Sequence, residues 1–240
     1  MPDITAVILC GGLGTRLRSV VSDRPKCLAE VNGRPFIYYI LDQVNNAGIE
    51  QVVLCVDYKW EMIYNSIGRE YRDLKIEYSY DEVKKGGTGA ALRSALPYIN
   101  NSTVLIMNGD TYVSIALSDF IYNYDSGYGN TSFILNLYDG IVSMGIYLTY
   151  REFVQGHIPQ RLPYSLEKSF LRDTWEYGVI PYIINKPFID IGTPESYAVA
   201  SEFMRRIKKC AEIYISQERS MKERKENISN LLDNFKYKKD

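Results

Sequence analysis

Histidine is nearly missing: His157 is the only one in 240 residues. Nucleophilic mechanisms built on a Ser-His or Cys-His pair are severely limited as a result, because each needs an imidazole base beside the nucleophile. His157 itself, between Gly156 and Pro159, reads as a solvated loop residue. Cysteine is scarce too. Cys10, Cys27, Cys55 and Cys210 are scattered, with no Cys-x-x-Cys pair, which argues against structural zinc and against a disulfide framework. No apolar run approaches the length of a membrane span, and Met1-Pro2-Asp3 is not the basic opening of a signal peptide. A soluble cytoplasmic protein is expected. Neither sign of charge dominates, with 28 Lys and Arg against 29 Asp and Glu. That balance offers no basic field for nucleic acid. Internal repeats are not visible.

What the chain has instead is glycine placed behind strands. Ile4-Thr5-Ala6-Val7-Ile8 is apolar and β-branched, the pattern of a strand buried on both faces. It runs into Leu9-Cys10-Gly11-Gly12-Leu13-Gly14-Thr15-Arg16-Leu17. Three glycines within four residues let the backbone turn with positive φ and bring amide N–H groups against a ligand. Arg16 adds a planar fork of donors, and Lys26, in Arg24-Pro25-Lys26, adds a point charge. The stretch describes an anion site for a polyphosphate. From the glycines alone, a plain tight turn stands beside that reading. The spacing fits neither standard phosphate fingerprint, since it lacks the Gly-Lys-Ser/Thr ending of a P-loop and departs from the Rossmann glycine spacing.

The pattern downstream predicts strand, helix, strand, helix, strand. Gly33-Arg34-Pro35 is a turn that starts a helix, with Ile37, Ile40, Leu41 and Val44 at helical spacing up to a stop at Gly48. Gln51 to Val56 is a second buried strand, Trp60 to Ile67 a short helix ended by Gly68, and Leu74 to Tyr78 an alternating third strand. This order predicts a doubly wound parallel sheet whose ligands sit outside the carboxyl ends of the strands. The loop 81–89 then carries Asp81, Glu82 and Gly86-Gly87-Thr88-Gly89 before a helix over 90–96. Such a loop can hold a flat base against its backbone, or serve as a flexible entry. Thr103 to Met107 is a fourth strand, with Asn108-Gly109-Asp110-Thr111 at its end. A carboxylate there is costly to bury unpaired, so Asp110 should face a cation or cap a helix. Asp190, in Phe188-Ile189-Asp190-Ile191-Gly192-Thr193-Pro194-Glu195, stands just before a helix that begins around Pro194.

Taken together, Gly11-Gly12-Leu13-Gly14-Thr15-Arg16-Leu17 with Pro25-Lys26 closely resembles the opening of the sugar-1-phosphate nucleotidylyltransferases. The likeness covers residues 4–111 continuously and 143–200 in pieces. The Asn32-Gly33-Arg34-Pro35-Phe36 turn, Ser165-Leu166-Glu167 and the Asp-Ile-Gly-Thr-Pro run look most like the D-glycero-α-D-manno-heptose 1-phosphate guanylyltransferases. Mannose- and glucose-1-phosphate nucleotidylyltransferases stay open as alternatives. The resemblance implies an α/β fold: a Rossmann-like doubly wound mixed sheet of the nucleotidyltransferase, glycosyltransferase-A-like type, with a C-terminal helical tail. It also implies transfer of a nucleoside monophosphate, GTP favoured, to a sugar 1-phosphate, heptose favoured, for surface polysaccharide synthesis.

Site roles follow from the same likeness. Leu9, Gly11, Gly12, Gly14 and Thr15 would hold the nucleotide with Gly87, Thr88 and Gly89, which would border the base. Arg16, Lys26 and Asp110 would be catalytic, and Asp110 with Asp190 would hold Mg²⁺. Two aspartates plus substrate phosphates and waters are what that ion typically accepts. Gly145, Glu167 and Lys168 would contact the sugar phosphate, although Ser165 to Lys168 also reads as a helix-capping box.

The middle departs from the family. Usual members make a long antiparallel excursion after the Gly-Asp motif, containing an Arg-Tyr-Gly turn and a Glu-Lys pair whose lysine holds the sugar-linked phosphate. Here residues 132–138 pass through Asp139-Gly140 almost directly into 142–147, and Ser143 and Met144 replace the usual Asn and small residue. Two readings of other classes therefore stand beside the enzyme. One is a nucleotide-binding regulatory homologue without sugar turnover. The other is an oxidoreductase with Asp57 on a ribose, against which the first loop has the wrong spacing. Over 202–240, 11 basic residues face 7 acidic ones, and a broken apolar stripe (Ile207, Ala211, Tyr214, Met221, Ile228, Leu231, Leu232, Phe235) suits packing or homo-oligomer formation. The expected division is 1–200 for the catalytic domain and 201–240 for the tail.

Overall fold

The computed structural model describes residues 3–80, 86–124, 129–160, 163–213 and 216. Two compact units divide the chain, Met1–Ala198 and Val199–Asp240. The first begins with β1 (Ile4–Leu9), five of whose six residues are buried, as its unbroken apolar run requires. A two-residue hairpin ladder, β2 (Glu30–Val31) and β3 (Arg34–Pro35), leads into α1 (Ile37–Asn46). Helix α1 buries Ile37, Ile40, Leu41 and Val44 and gives way at Gly48, which takes φ +74°. β4 (Gln51–Val56) and α2 (Trp60–Ile67) follow, and α2 likewise ends on Gly68 at φ +74°. In both helices the stop is the residue that reaches the left-handed region without a Cβ penalty.

β5 (Glu70–Tyr71) and β6 (Leu74–Tyr80) come next, then α3 (Gly87–Ala95), so the glycines expected to precede a helix form its first turn instead. Asp81 and Glu82 lie outside the described residues. β7 (Thr103–Asn108), β8 (Thr111–Val113), α4 (Leu117–Tyr122), β9 (Thr131–Asn136) and β10 (Val142–Tyr150) complete the middle. Only residues 137–141 separate β9 from β10. The remainder comprises α5 (Arg151–His157), a π-helical turn Leu166–Phe170, α6 (Leu171–Asp173), β11 (Val179–Ile184) and β12 (Phe188–Asp190), with residues 194–213 helical.

Eight strands form one sheet in the order β11-β9-β10-β7-β1-β4-β6-β5. β7, β1, β4 and β6 are mutually parallel, as the strand-helix repeat predicts. Beyond β7 the parallel order ends: β10 runs antiparallel to both β7 and β9, and β11 is parallel to β9. The sheet is mixed, as the family resemblance implied. β9 reaches β10 through a short turn, a connection too short for the crossover that parallel neighbours need. One core face gathers Val7, Val53, Leu92, Val104, Ile106, Tyr147, Leu166 and Phe170. Each fully buried aliphatic side chain there contributes about 1.5–3 kcal/mol.

His157 corrects the reading of a solvated loop. It ends α5 and is half-buried, its ring 4.1 Å from that of Phe153 and 5.0 Å from that of Tyr177, with Nδ1 2.9 Å from the Phe153 carbonyl. Within the second unit, residues 199–213 are helical, Ile207 is half-buried and Ala211 exposed. The remaining positions of the expected stripe, from Tyr214 to Phe235, lie outside the described residues.

Candidate active site

Because β1, β4 and β7 are parallel, the segments that follow them open on one edge of the sheet, where Gly86-Gly87-Thr88 at the start of α3 joins them. There they line a cavity of about 790 Å³, closed on its other sides by Glu167 and Asp190. That volume suits a small-molecule ligand. Leu9, Gly11, Gly12, Gly14, Thr15 and Arg16 form the first wall. A Cβ on Gly12 would meet nothing, so this backbone is open to a ligand. Gly14 takes φ +59°, and a Cβ there would also stand 3.3 Å from Lys26 Cβ. Only glycine satisfies both conditions cheaply.

The floor brings Lys26, Asp110 and Asp190 together. Gly109 lets the chain turn tightly past the first loop, since a Cβ there would lie 2.9 Å from Cys10 Sγ and 3.1 Å from the Leu9 carbonyl. Asp110 then pairs with the Lys26 ammonium. Asp190 arrives from far along the chain by the antiparallel β8–β12 ladder, which sets it opposite Thr111. The Ile191 N–H donates to the Asp110 carbonyl at 2.9 Å and locks the register. The Asp190 carboxylate is aimed by two donors, the Gly192 N–H to Oδ1 at 2.7 Å and the Thr111 hydroxyl to Oδ2 at 2.9 Å. At Gly192 a Cβ would stand 2.6 Å from Asp190 Oδ1 and 3.3 Å from the Arg16 guanidinium. Both charged groups therefore converge over that glycine.

Burial pushes the Asp110 carboxyl above the usual carboxylate range; the Lys26 charge opposes this and the Asp190 charge adds to it. Cys10 and Cys27 also reach the cavity wall, and both are buried, as is Cys55. The Cys10 thiol is pushed well up by its hydrogen bond with Cys27, by burial and by the charges around it, Asp110 among them.

The third wall is Gly86, Gly87 and Thr88, with Glu167 beside them. The Thr88 hydroxyl donates to Glu167 Oε2 at 3.1 Å and accepts the Leu166 N–H at 2.9 Å. Ser165 acts as a cap, accepting the Lys168 N–H, while Glu167 still lines the cavity; the capping and site readings of this stretch coexist.

Three expected site residues do not line the cavity. Gly89 is buried in α3, where a Cβ would meet the Tyr164 ring at 2.6 Å. Lys168 is exposed to solvent away from the lining. Gly145 sits at φ +64° in a β-bulge between Ser143 and Tyr147, and its missing side chain makes room for Asn108, whose Cγ lies 2.5 Å from where a Cβ would be. Asn108 is the residue that lines the cavity there. Sequence reasoning passed over Asn108 as a site residue, although its place directly before Gly109-Asp110 was a usable signal. Asp57, weighed only as a ribose ligand of an oxidoreductase, lines the wall behind Gly11. Tyr164 and Thr111, which hold the walls, carried no local signal.

Glycine amides, two cations and two carboxylates around one cavity suit a polyphosphate. Residues 5–139, more than half of the chain, match the model of the nucleotidyl transferase family. The chain belongs to that family. Among curated nucleotidyl transferases it is 32% identical over 215 residues to the D-glycero-alpha-D-manno-heptose 1-phosphate guanylyltransferase of Campylobacter jejuni, covering 80% of this chain and 96% of the relative. The enzyme of the same name from Aneurinibacillus thermoaerophilus is 31% identical, with 82% and 96% covered. Among solved structures, HddC from Yersinia pseudotuberculosis complexed with GMP-PN superposes with a TM-score of 0.72 at 26% identity, covering 82% of this chain and 98% of that one. As a sugar-1-phosphate nucleotidyltransferase, this protein has no helix among the described residues long and apolar enough to cross a membrane.

Proposed function

We propose that this nucleotidyl transferase moves the guanylyl group of GTP onto D-glycero-α-D-manno-heptose 1-phosphate, releasing pyrophosphate and supplying a cytoplasmic nucleotide sugar for surface polysaccharide synthesis. The observation that carries the reading is the convergence of the glycine loop, Arg16, Lys26, Asp110 and Asp190 on one cavity. Likeness to two guanylyltransferases of the same name, each spanned almost end to end by this chain, supports the choice of base and sugar.

The chemistry suits a site without histidine. A sugar phosphate is already ionised at neutral pH, so its oxygen needs alignment and charge neutralisation rather than a base. That oxygen attacks the α-phosphorus in line; a new P–O bond forms as the bond to the bridging oxygen breaks, and pyrophosphate leaves with both electrons. Amides of the first loop and Thr15 hold the triphosphate, and the Gly87-Thr88 wall borders the base. Arg16 takes up charge on the leaving phosphates, while Lys26 bridges phosphates near the reacting centre. Glu167 accepts a hydroxyl of the sugar.

The residues present fit Mg²⁺. No cluster of three His, Cys, Asp or Glu side chains suited to a metal occurs among the described residues, so no closed protein cage is offered. An ion that keeps waters and phosphate oxygens needs only one or two carboxylates. Asp110 and Asp190 supply them, and Lys26 on Asp110 marks the spot as one that calls for positive charge. Bound there, Mg²⁺ would neutralise the transferring phosphoryl group.

A second reading is favoured by the place of Lys168, exposed and outside the lining, in a chain whose shortened middle lacks the family's Glu-Lys pair. It is a nucleotide-binding regulatory protein without sugar turnover. Pyrophosphate release with Mg²⁺ separates the two, pairing each nucleoside triphosphate with heptose-, mannose- and glucose-1-phosphate. Release with GTP and the heptose phosphate, lost in Asp110→Asn, is the expected result. Release with another pair would move the substrate assignment. Triphosphate binding with no release from any pair would sink the enzyme reading in favour of the regulatory one.

A further inference from the structure

We propose that Thr88 is a positioning residue for sugar recognition and acts through Glu167. The inference rests on the reading just given of Glu167 as the sugar-facing carboxylate.

It starts from how the chain before Glu167 meets the first turn of α3. The Tyr164 N–H donates to the Gly86 carbonyl at 2.8 Å, and the Gly89 N–H donates to the Tyr164 carbonyl at 2.8 Å. Glycine is required on both sides of this clasp. A Cβ on Gly87 would stand 2.8 Å from the Tyr164 carbonyl oxygen, and one on Gly89 2.9 Å from the same atom. Thr88 is the only side chain between those two glycines. The clasped segment engages the Thr88 hydroxyl twice, the oxygen accepting from the Leu166 N–H and the O–H donating to Glu167 Oε2.

Glu167 receives a second bond on the same oxygen, from the Ser165 hydroxyl at 2.8 Å. Two donors on Oε2 fix the plane of the carboxylate and leave Oε1 out of both bonds. The backbone contributes as well. Leu166–Phe170 is a π-helical turn, closed by the Phe170 N–H on the Ser165 carbonyl at 3.0 Å. Such widened turns re-aim the side chains they carry and recur at functional sites. Here the turn holds Glu167 between Ser165 on its own segment and Thr88 on the opposite wall. Thr88 and Glu167 both line the cavity, so one hydroxyl sets the register between the wall that borders the base and the carboxylate that faces the sugar.

A purely structural role for Thr88 would require only the bond from Leu166. The bond to Glu167 is the part that positioning adds, and kinetics of the full chain can isolate it. Thr88→Val removes both bonds and nearly preserves shape. Its KM for the sugar phosphate should rise about tenfold, the usual weight of a hydrogen bond to a charged group, and by clearly more than the KM for the triphosphate, whose wall keeps its backbone contacts. Thr88→Ser should restore the wild-type value. In a Glu167→Ala background Thr88→Val should raise the sugar KM no further, because the group it acts on is gone. Thr88→Ala and Ser165→Ala provide the same comparison should the valine variant not fold.

Equal rises in both KM values, additive effects in the double variant, or an unchanged sugar KM would each overturn the proposal while leaving the enzyme reading intact. Absence of turnover by the unaltered protein with every pair of substrates would remove that reading and this inference together.

Discussion

Gly145→Ala tests how the β-bulge on β10 serves the cavity. Gly145 takes φ +64°, a region that costs a residue with a Cβ about 1–2 kcal/mol. The new methyl group would also overlap the Asn108 carboxamide, so Asn108 must leave its rotamer, at a further cost of about 0.5–1.5 kcal/mol. Restricting the unfolded chain returns about 0.4–1 kcal/mol. The net loss is about 0.5–3 kcal/mol, centred on about 2 kcal/mol, or a fall in Tm of several degrees for a unit of this size. Chemical denaturation and calorimetry measure it directly. Asn108→Ala in the Gly145→Ala background should recover the part due to overlap and leave the part due to φ. A Gly145→Ala variant within about 0.5 kcal/mol of wild type would refute the reasoning, as would complete recovery by Asn108→Ala, since φ would then cost nothing.

Two more outcomes follow from the charges and thiols around the cavity. Burial and the Asp190 charge raise the Asp110 carboxyl, so the acid limb of the kcat/KM profile should lie above the ordinary carboxylate range of about 4, and Lys26→Gln should move it higher still. Stability should run the other way in that window. The native carboxyl takes up its proton before the unfolded one does, so its contribution to folding grows as pH falls from neutral and is lost as pH rises through the native value. A limb at the ordinary carboxylate value, unmoved by Lys26→Gln, would count against Asp110 as the group that titrates. For the thiols, Ellman's reagent should find one reactive cysteine in the native protein, the exposed Cys210, and all four in denaturant. Fast reaction of more than one native thiol would contradict the burial of Cys10, Cys27 and Cys55.

Much of this molecule was legible because its signals are local. The run Ile4 to Ile8 carries the apolar, β-branched pattern of a doubly buried strand, and Gly48 and Gly68 end helices because glycine reaches the left-handed region freely. The Arg16, Lys26, Asp110 and Asp190 side chains carried their chemistry in their types and meet in the cavity. What stayed hidden depends on approach between distant segments. Nothing near Gly89 indicates that Tyr164 will lie against it, and nothing near Gly145 indicates that Asn108 will fill its notch. His157 was misread because Gly156 and Pro159 suggest a loop, whereas α5 extends through Gly156 and the ring lodges between Phe153 and Tyr177. Lys168 was placed by its neighbours in sequence, but the π-helical turn that presents Glu167 leaves Lys168 in solvent.

The three-residue ladder between β8 and β12 has a consequence for synthesis. Thr111 and the aspartate it aims are 79 residues apart. During translation the glycine loop, Lys26 and Asp110 can fold on the nascent chain while Asp190 is still unmade. A ribosome-bound intermediate of this kind holds phosphate-binding elements without their second carboxylate. The final third of the chain thus decides when the cavity becomes competent, and a product cut short before Asp190 would keep part of the triphosphate grip with half of the acidic pair.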